Sequence, residues 1–273
     1  APGPAASTAP PMAQTSPTMN VMIAATRKAA RSLARDFGEV ENLQVSRKGP
    51  ADFVSSADLK AEKTLFEELS KARPGYGFLM EERGAVEGTD KSHRWIVDPL
   101  DGTTNFLHGI PHFAISIGLE REGVLVAGVV YNVVRDELFW AEKGQGAYLN
   151  DKRLRVTARG DLRDALFGTG APYHGRPGHE VFLREVERVI AVSSGIRRFG
   201  AASLDLAYVA AGRLDGFWER GLSAWDIAAG AVLVREAGGH AKEIDGGDFL
   251  QTGAIIAANE RLLAMLNRTL HGG

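Results

Sequence analysis

The side chains most able to do chemistry in this sequence are acidic, and the densest group lies in one short run. Trp95-Ile96-Val97-Asp98-Pro99-Leu100-Asp101-Gly102-Thr103-Thr104-Asn105-Phe106 sets two carboxylates three residues apart where an apolar strand gives way to a turn. Pro99 fixes φ and should stop the strand, and Asp101-Gly102 turns the chain toward a helix start. Two carboxylates facing one point repel, and one would take up a proton unless a cation intervenes. A hard divalent ion removes that conflict, because Mg²⁺ prefers oxygen ligands and few protein carboxylates. The backbone N–H groups of Gly102, Thr103 and Thr104 would then open a helix beside the metal and could take an anion. Asp, Pro and Gly make ordinary turns anywhere, but a buried strand before this one and two threonines and Asn105 after it favour a site.

Two further acidic features belong with this run. Glu81-Glu82 follows the strand expected over Tyr76–Met80, so a carboxylate sits at a strand's C-terminal end. Asp226, after Trp225, opens the apolar helix Ile227–Ala237, which runs into Glu236-Ala237-Gly238-Gly239. Taken singly, the first is compatible with a solvated pair and the second with a first-turn residue held by the helix dipole. His108 and His112 flank Gly109-Ile110-Pro111 with a spacing that could suit a metal. The paired-histidine helix motifs are absent, however, and Mg²⁺ favours oxygen. Lys48, in Arg47-Lys48-Gly49, could reach an anion or simply face solvent. Gly144-Gln145-Gly146 lacks the third glycine of a dinucleotide loop, and neither a Walker A pattern nor a nucleophile elbow occurs.

The elements that must position these groups follow from periodicity. Val21, Met22, Ala25, Ala29, Leu33 and Ala34 predict a helix over Asn20–Phe37, and Leu59, Leu65, Phe66 and Leu69 a second over Ala57–Lys71 with Ser56 as N-cap. Tyr76–Met80 and Arg94–Val97 read as short buried strands. Phe113–Leu119, Val124–Asn132 and Glu137–Ala141 form an antiparallel meander turned at Glu122-Gly123 and Arg135-Asp136, and Asn150-Asp151 turns a further hairpin. Helices are then expected over His179–Val192, Ser203–Ala211, Trp225–Ala237 and Glu260–Leu270, with strands at Leu214–Trp218 and Ile255–Ala258. Residues 1–18 are rich in Ala, Pro, Ser and Thr and read as a flexible extension, not a signal peptide. Residues 19–273 read as one α+β unit, a single domain with room for two sheets.

Composition narrows the partners. With 44% hydrophobic and 24% charged residues the chain is an ordinary globular one, and a net charge of -2 gives no field to recruit nucleic acid or an anionic membrane. An anionic substrate must be drawn by local features. The absence of cysteine excludes disulfides, thiolate metal sites and a cysteine nucleophile, and fits a cytoplasmic location. No apolar run approaches the roughly 20 residues of a membrane span.

Glu81-Glu82, the run at 95–106, Trp225-Asp226-Ile227-Ala228-Ala229-Gly230 and Glu236-Ala237-Gly238-Gly239 together resemble, in order and spacing, the signature set of the inositol monophosphatase family. The resemblance covers nearly the whole chain from about residue 20. It implies a layered αβαβα sandwich of the sugar-phosphatase / inositol monophosphatase type, a homodimer, and Mg²⁺-dependent, lithium-sensitive hydrolysis of a small phosphorylated polyol by an activated water. It further implies two or three Mg²⁺ ions per site: Glu81, Asp98 and the Leu100 carbonyl for the first, and Asp98, Asp101 and Asp226 for the second. Asp58, in Ser55-Ser56-Ala57-Asp58, resembles the aspartate that pairs with the threonine at Thr103, and that pair with Glu81 would orient and deprotonate the water. The Gly102–Thr104 amides would cradle the phosphate. Glu219, Asp226 and the Gly200-Ala201-Ala202 loop would take the rest of the substrate. The family often has glycine before the paired glutamates, and here that residue is Met80. Inositol 1-phosphate is the expected substrate, favoured by the Trp218–Asp226 segment with Glu219. Fructose 1,6-bisphosphate, nucleotide 3′-phosphates and histidinol phosphate are the alternatives on the same fold. A regulatory binding protein associated with RNA polymerase or ribosomal RNA, with incidental catalysis, is the alternative of a different class.

Overall fold

The computed structural model describes residues 15–39, 45–49 and 52–273, with the backbone alone for 45–49 and 52–54. The Lys48 side chain and most of the 1–18 segment therefore lie outside what is described. Helix α1 (Pro17–Phe37) begins a few residues before the periodic stretch, because Ser16 caps it: the Met19 amide donates to Ser16 Oγ at 3.0 Å. Pro17 at the first helical position has no N–H to leave unsatisfied. Pro17 and Thr18, grouped with the extension on composition, thus form its first turn. Strands β1 (Val45–Gly49) and β2 (Asp52–Ser55) pair antiparallel and lead into α2 (Ser56–Ala72). The cap of α2 is Ser55, not Ser56, since Asp58 at the third helical position closes a reciprocal capping box with Ser55.

Strands β3 (Tyr76–Met80), β4 (Gly84–Val86) and β5 (Asp90–Asp101), short helix α3 (Thr103–Leu107), and strands β6 (Ala114–Arg121), β7 (Val124–Asn132), β8 (Glu137–Glu142), β9 (Gly146–Leu149) and β10 (Lys152–Arg153) build an eight-stranded sheet. Its order is β10-β9-β8-β7-β6-β5-β3-β4, antiparallel except for the β3–β5 pair. Pro99 does not end β5 as expected. Asp98 pairs with Ser116 and Asp101 with Ala114, so a bulge absorbs Pro99, which has no N–H to give the ladder, and pairing resumes after it.

A second sheet, ordered β12-β11-β13-β15-β14, comprises β11 (Leu166–Thr169), β12 (Gly195–Arg197), β13 (Gly216–Glu219), β14 (His240–Glu243) and β15 (Ile255–Ala258). Between and around these strands run α4 (His179–Ile190), α5 (Ala202–Ala210), α6 (Ala224–Glu236), α7 (Phe249–Thr252) and α8 (Glu260–His271).

The two-residue period of β5 decides the layering. Trp95 and Val97 face a core shared with α1 and α2, whereas Ile96 faces α5 and α6. Phe217, Ile255 and Ala257 of the second sheet close that middle layer, and their neighbours Trp218, Ile256 and Ala258 pack outward against Leu262, Leu266 and Leu270 of α8 and Val189 of α4. The observed order is therefore αβαβα. Helices α5 and α6 lie between two sheets, so they are apolar all round: Ile227 to Val234 are all buried. Gly128 lets α6 approach the first sheet, since a Cβ there would lie 2.6 Å from the Ala229 carbonyl oxygen. Among the described residues no helix is long and apolar enough to cross a membrane.

Candidate active site

Parallel pairing of β3 with β5 sets Met80 opposite Val97, and the Glu81 amide donates to the Val97 carbonyl at 3.3 Å. Glu81 and Asp98 consequently emerge side by side where the parallel pairing of the two strands ends, β3 at its C-terminus and β5 at its bulge. The bulge at Pro99 brings Asp101 back to the same point. From the other side α6 delivers Asp226 in its first turn, where Asp226 Oδ2 accepts the Ser223 amide at 2.7 Å. Asp98, Asp101 and Asp226 each offer an oxygen within 4.8 Å of the others.

Each carboxylate is fixed by backbone donors. Asp98 Oδ1 accepts the Leu100 amide at 2.9 Å, and Asp101 Oδ2 accepts the Ser203 amide at 2.8 Å together with the Ser203 hydroxyl. The start of α5 is thus locked onto the acidic turn. Burial pushes the Asp98 carboxyl well above its usual range, and the charges of Glu81, Asp101 and Asp226 push it further. Burial raises Asp101 to about 6 and Asp226 to about 8, the latter helped by the charges of Asp101 and Glu81. A cluster of hard oxygen donors that hold protons above the normal range because they are buried, and for Asp98 and Asp226 also because they crowd together, fits a divalent cation, which would replace those protons.

Beside the cluster, Thr103 Oγ1 lies 3.1 Å from Asp58 Oδ1 and 3.0 Å from the Leu100 carbonyl, with one proton to offer either acceptor. Asp58 is fully buried, and its other oxygen accepts the Ser55 amide at 2.9 Å. Gly102 adopts φ +91° ahead of α3, and a Cβ there would press on the His112 and Gly200 carbonyls and on Ala201. The Thr103 and Thr104 amides, in the first turn, have no acceptor within the helix. The Gly200-Ala201-Ala202 loop therefore abuts the turn. Asn105 Nδ2 staples the two together by donating to the His112 and Phe199 carbonyls, each at 2.8 Å.

Glu219 ends β13 on the far side of this loop. Its carboxyl occupies the space over Gly170, where a Cβ would sit 1.9 Å from Cδ, so only glycine fits there. Burial raises it to about 8, with the charge of Asp226 adding and that of Arg198 opposing. Three groups were not singled out from the sequence: Ser203 on Asp101, and Gly170 and Asp205 near Glu219. Ser203 and Gly170 gave no signal of their own. Asp205, 1% exposed with Oδ1 unpartnered, could have been noticed as the one acid within the apolar run Leu204–Ala211. Burial holds its carboxyl well above the usual range. His112 stands apart from the acidic cluster, its ring packed on Phe199 and Tyr208 at centroid distances of 5.1 and 5.9 Å.

Comparison with known proteins agrees with this geometry. Residues 14–272 match the model of the inositol monophosphatase family. An inositol-1-monophosphatase from Mesorhizobium japonicum is 66% identical over 243 residues, 89% of this chain and 91% of its own. A protein named Nus factor SuhB from Pseudomonas aeruginosa is 44% identical over 259 residues, 93% of this chain and 96% of its own. The crystal structure of extragenic suppressor protein suhB from Bartonella henselae superposes with a TM-score of 0.92 at 60% identity, covering 94% of this chain and all of that one.

Proposed function

The chain belongs to the inositol monophosphatase family, and on that premise we propose that it is a Mg²⁺-dependent phosphomonoesterase hydrolysing inositol 1-phosphate to inositol and phosphate. The observation that carries this reading is the convergence of Asp98, Asp101 and Asp226, their oxygens within 4.8 Å, beside a strand end bearing Glu81. The 66% identical inositol-1-monophosphatase supports the choice of substrate.

In this reading Glu81, Asp98 and the Leu100 carbonyl hold one ion, and Asp98, Asp101 and Asp226 another. Bound magnesium supplies charge neutralisation for the phosphate dianion and acidifies water. The chain's own groups do the rest. Turning the Thr103 proton toward Asp58 leaves the Leu100 carbonyl free and gives the Thr103 oxygen lone pairs with which to hold one hydrogen of the attacking water. Glu81 takes up the proton that this water releases as its oxygen bonds to phosphorus. The Gly102–Thr104 amides hold the phosphate oxygens as the bond to the leaving alkoxide breaks; a second water gives that alkoxide the proton that makes it the inositol hydroxyl, and no covalent phosphoenzyme forms. Glu219, Asp226 and the Gly200-Ala201-Ala202 loop meet the inositol hydroxyls. We further propose that the protein is a homodimer, is inhibited by lithium, and works in the cytoplasm, a reducing compartment that suits a cysteine-free chain.

Phosphate release from inositol 1-phosphate, fructose 1,6-bisphosphate, 3′-phosphoadenosine 5′-phosphate and histidinol phosphate, with and without Mg²⁺, tests this reading. The expected result is Mg²⁺-dependent release that is fastest with inositol 1-phosphate. A different best substrate would keep the chemistry and change the specificity, and release from none would overturn both. The relative named Nus factor SuhB supports a second reading, a regulatory partner of RNA polymerase or ribosomal RNA in which catalysis is incidental. In that case an Asp98→Asn protein would lose turnover and keep its regulatory effect in cells.

A further inference from the structure

Glu219 is a group whose position has to be imposed from outside its own carboxylate. Among the described residues no ion pair holds it, and it faces the bare backbone of Gly170. Its two sequence neighbours, in contrast, are tied to the same partner. Trp218 Nε1 donates to Glu185 Oε2 at 3.2 Å, and Arg220 Nε donates to Glu185 Oε1 at 2.8 Å. Glu185, on α4, is 3% exposed.

The other edge of the Arg220 guanidinium donates to Asp245, with Nη1 2.5 Å from Oδ2 and Nη2 3.3 Å from Oδ1. Asp245 lies between β14 and α7 and is itself held by His271 Nε2 of α8, at 2.9 Å. One planar fork thus joins the end of β13 to α4, to the β14–α7 connection and, through Asp245, to α8. A guanidinium with acceptors on two different elements fixes direction in a way that an apolar side chain does not. Net stability is a poor reason for this arrangement, because a buried ion pair is often no better than well-packed apolar residues of the same volume.

We infer that Arg220 is a positioning residue for Glu219: its bridge between Glu185 and Asp245 aims the strand end so that Glu219 meets substrate hydroxyls, and so sets the preference for hydroxyl-rich phosphate esters. The inference rests on the reading of Glu219 as a substrate contact. The Arg220 guanidinium donates to Glu185 and Asp245 and to none of the acidic cluster, so its loss acts on discrimination and leaves the hydrolytic machinery intact.

Steady-state kinetics at saturating Mg²⁺ test it, using inositol 1-phosphate and p-nitrophenyl phosphate, which has no hydroxyl for Glu219 to hold. Arg220→Met raises KM for inositol 1-phosphate by roughly tenfold, the scale of one misplaced hydrogen bond to a charged group, while both constants for p-nitrophenyl phosphate stay within about twofold. Arg220→Lys recovers part of the loss. Equal losses of kcat for both substrates with KM unchanged, the mark of a smaller folded fraction, would overturn the inference. If Arg220→Met fails to fold because Glu185 is left buried without its partner, Asp245→Asn decides, since the Asp245 side chain is 53% exposed. A rise in KM for inositol 1-phosphate alone is expected, and an unchanged KM contradicts the proposal. Glu219→Gln distinguishes the two layers: should it alter neither substrate's KM, the reading of Glu219 fails first and the Arg220 proposal falls with it.

Discussion

At Thr103 a single hydroxyl proton stands between Asp58 at 3.1 Å and the Leu100 carbonyl at 3.0 Å, and the proposed mechanism depends on which one receives it. Thr103→Ala should lower kcat by about 10²–10⁴, the range for loss of a positioned proton-transfer partner. Asp58→Asn should fall comparably, and the double variant should be little worse than either single one, because the two act as a unit. Strict additivity in the kinetics of the three variants would separate their roles. Asp205 makes the opposite prediction. A buried carboxyl without a partner costs stability, so Asp205→Asn should raise the melting temperature. The sign with pH follows from its raised value: the folded protein keeps a proton that the unfolded chain releases above about pH 4, so the wild-type penalty grows as pH rises. The gain should be larger at about pH 8 than at about pH 5 in thermal denaturation, and an equal gain at both would show that Asp205 is not the source.

Among the elements, the D-P-x-D-G-T-T turn was legible because its residue types have few other uses together. Its positioning was less so. Pro99 is a strand breaker by its own chemistry, yet the bulge between Asp98 and Asp101 lets β5 continue, and only the register with β6 reveals this. Helix α2 starts one residue earlier than expected because Ser55 and Asp58 close a capping box, which ties Asp58, and with it Thr103, to a helix end. Strands β11, β12 and β14 are three or four residues long and mix polar with apolar positions, so they could not be read from alternation, whereas β13 and β15 lie at the strands expected over Leu214–Trp218 and Ile255–Ala258. The approach of α6 to the first sheet was not read, although Gly128 stands inside the strand expected over Val124–Asn132, where an isolated glycine is a sign of close backbone approach but does not say which element approaches. Gly128→Ala places a methyl 2.6 Å from the Ala229 carbonyl oxygen and should destabilise the protein by about 1–3 kcal/mol, as overpacking does. Denaturant unfolding measures this, and an unchanged midpoint would mean that α6 moves freely.

On the scale of the whole molecule, two sheets and three helical layers bring acids from residues 81, 98, 101, 219 and 226 into one region, and their burial, with their crowding, costs stability when no cation is bound. Glu219 and Asp226 are each raised to about 8 and Asp101 to about 6, so folding favours the protonated forms. Stability is then greatest below the unfolded carboxylate values near 4 and is lost as pH rises through the folded values, up to about 8. In chelator the melting temperature should therefore fall from about pH 5 to about pH 8. Magnesium at about 100 times the Kd it has at about pH 8 should restore about 2.7 kcal/mol there, and the same concentration should restore less at about pH 6, because protons compete for the same oxygens and raise the Kd. A larger effect at the lower pH would contradict a carboxylate cation site. The layered order followed from the family resemblance, whereas the link from Glu219 through Arg220 to α4 and α8 is a tertiary fact that no short motif encodes.

The most direct test of the central claim is the rate of phosphate release from inositol 1-phosphate by wild type and Asp98→Asn across a Mg²⁺ titration. Asp98 faces both proposed ion positions, so the account predicts Mg²⁺-dependent turnover in the wild type and, in the variant, loss of more than about 10³-fold that no Mg²⁺ concentration repairs. Wild-type turnover by Asp98→Asn, or release that does not depend on Mg²⁺, would contradict it.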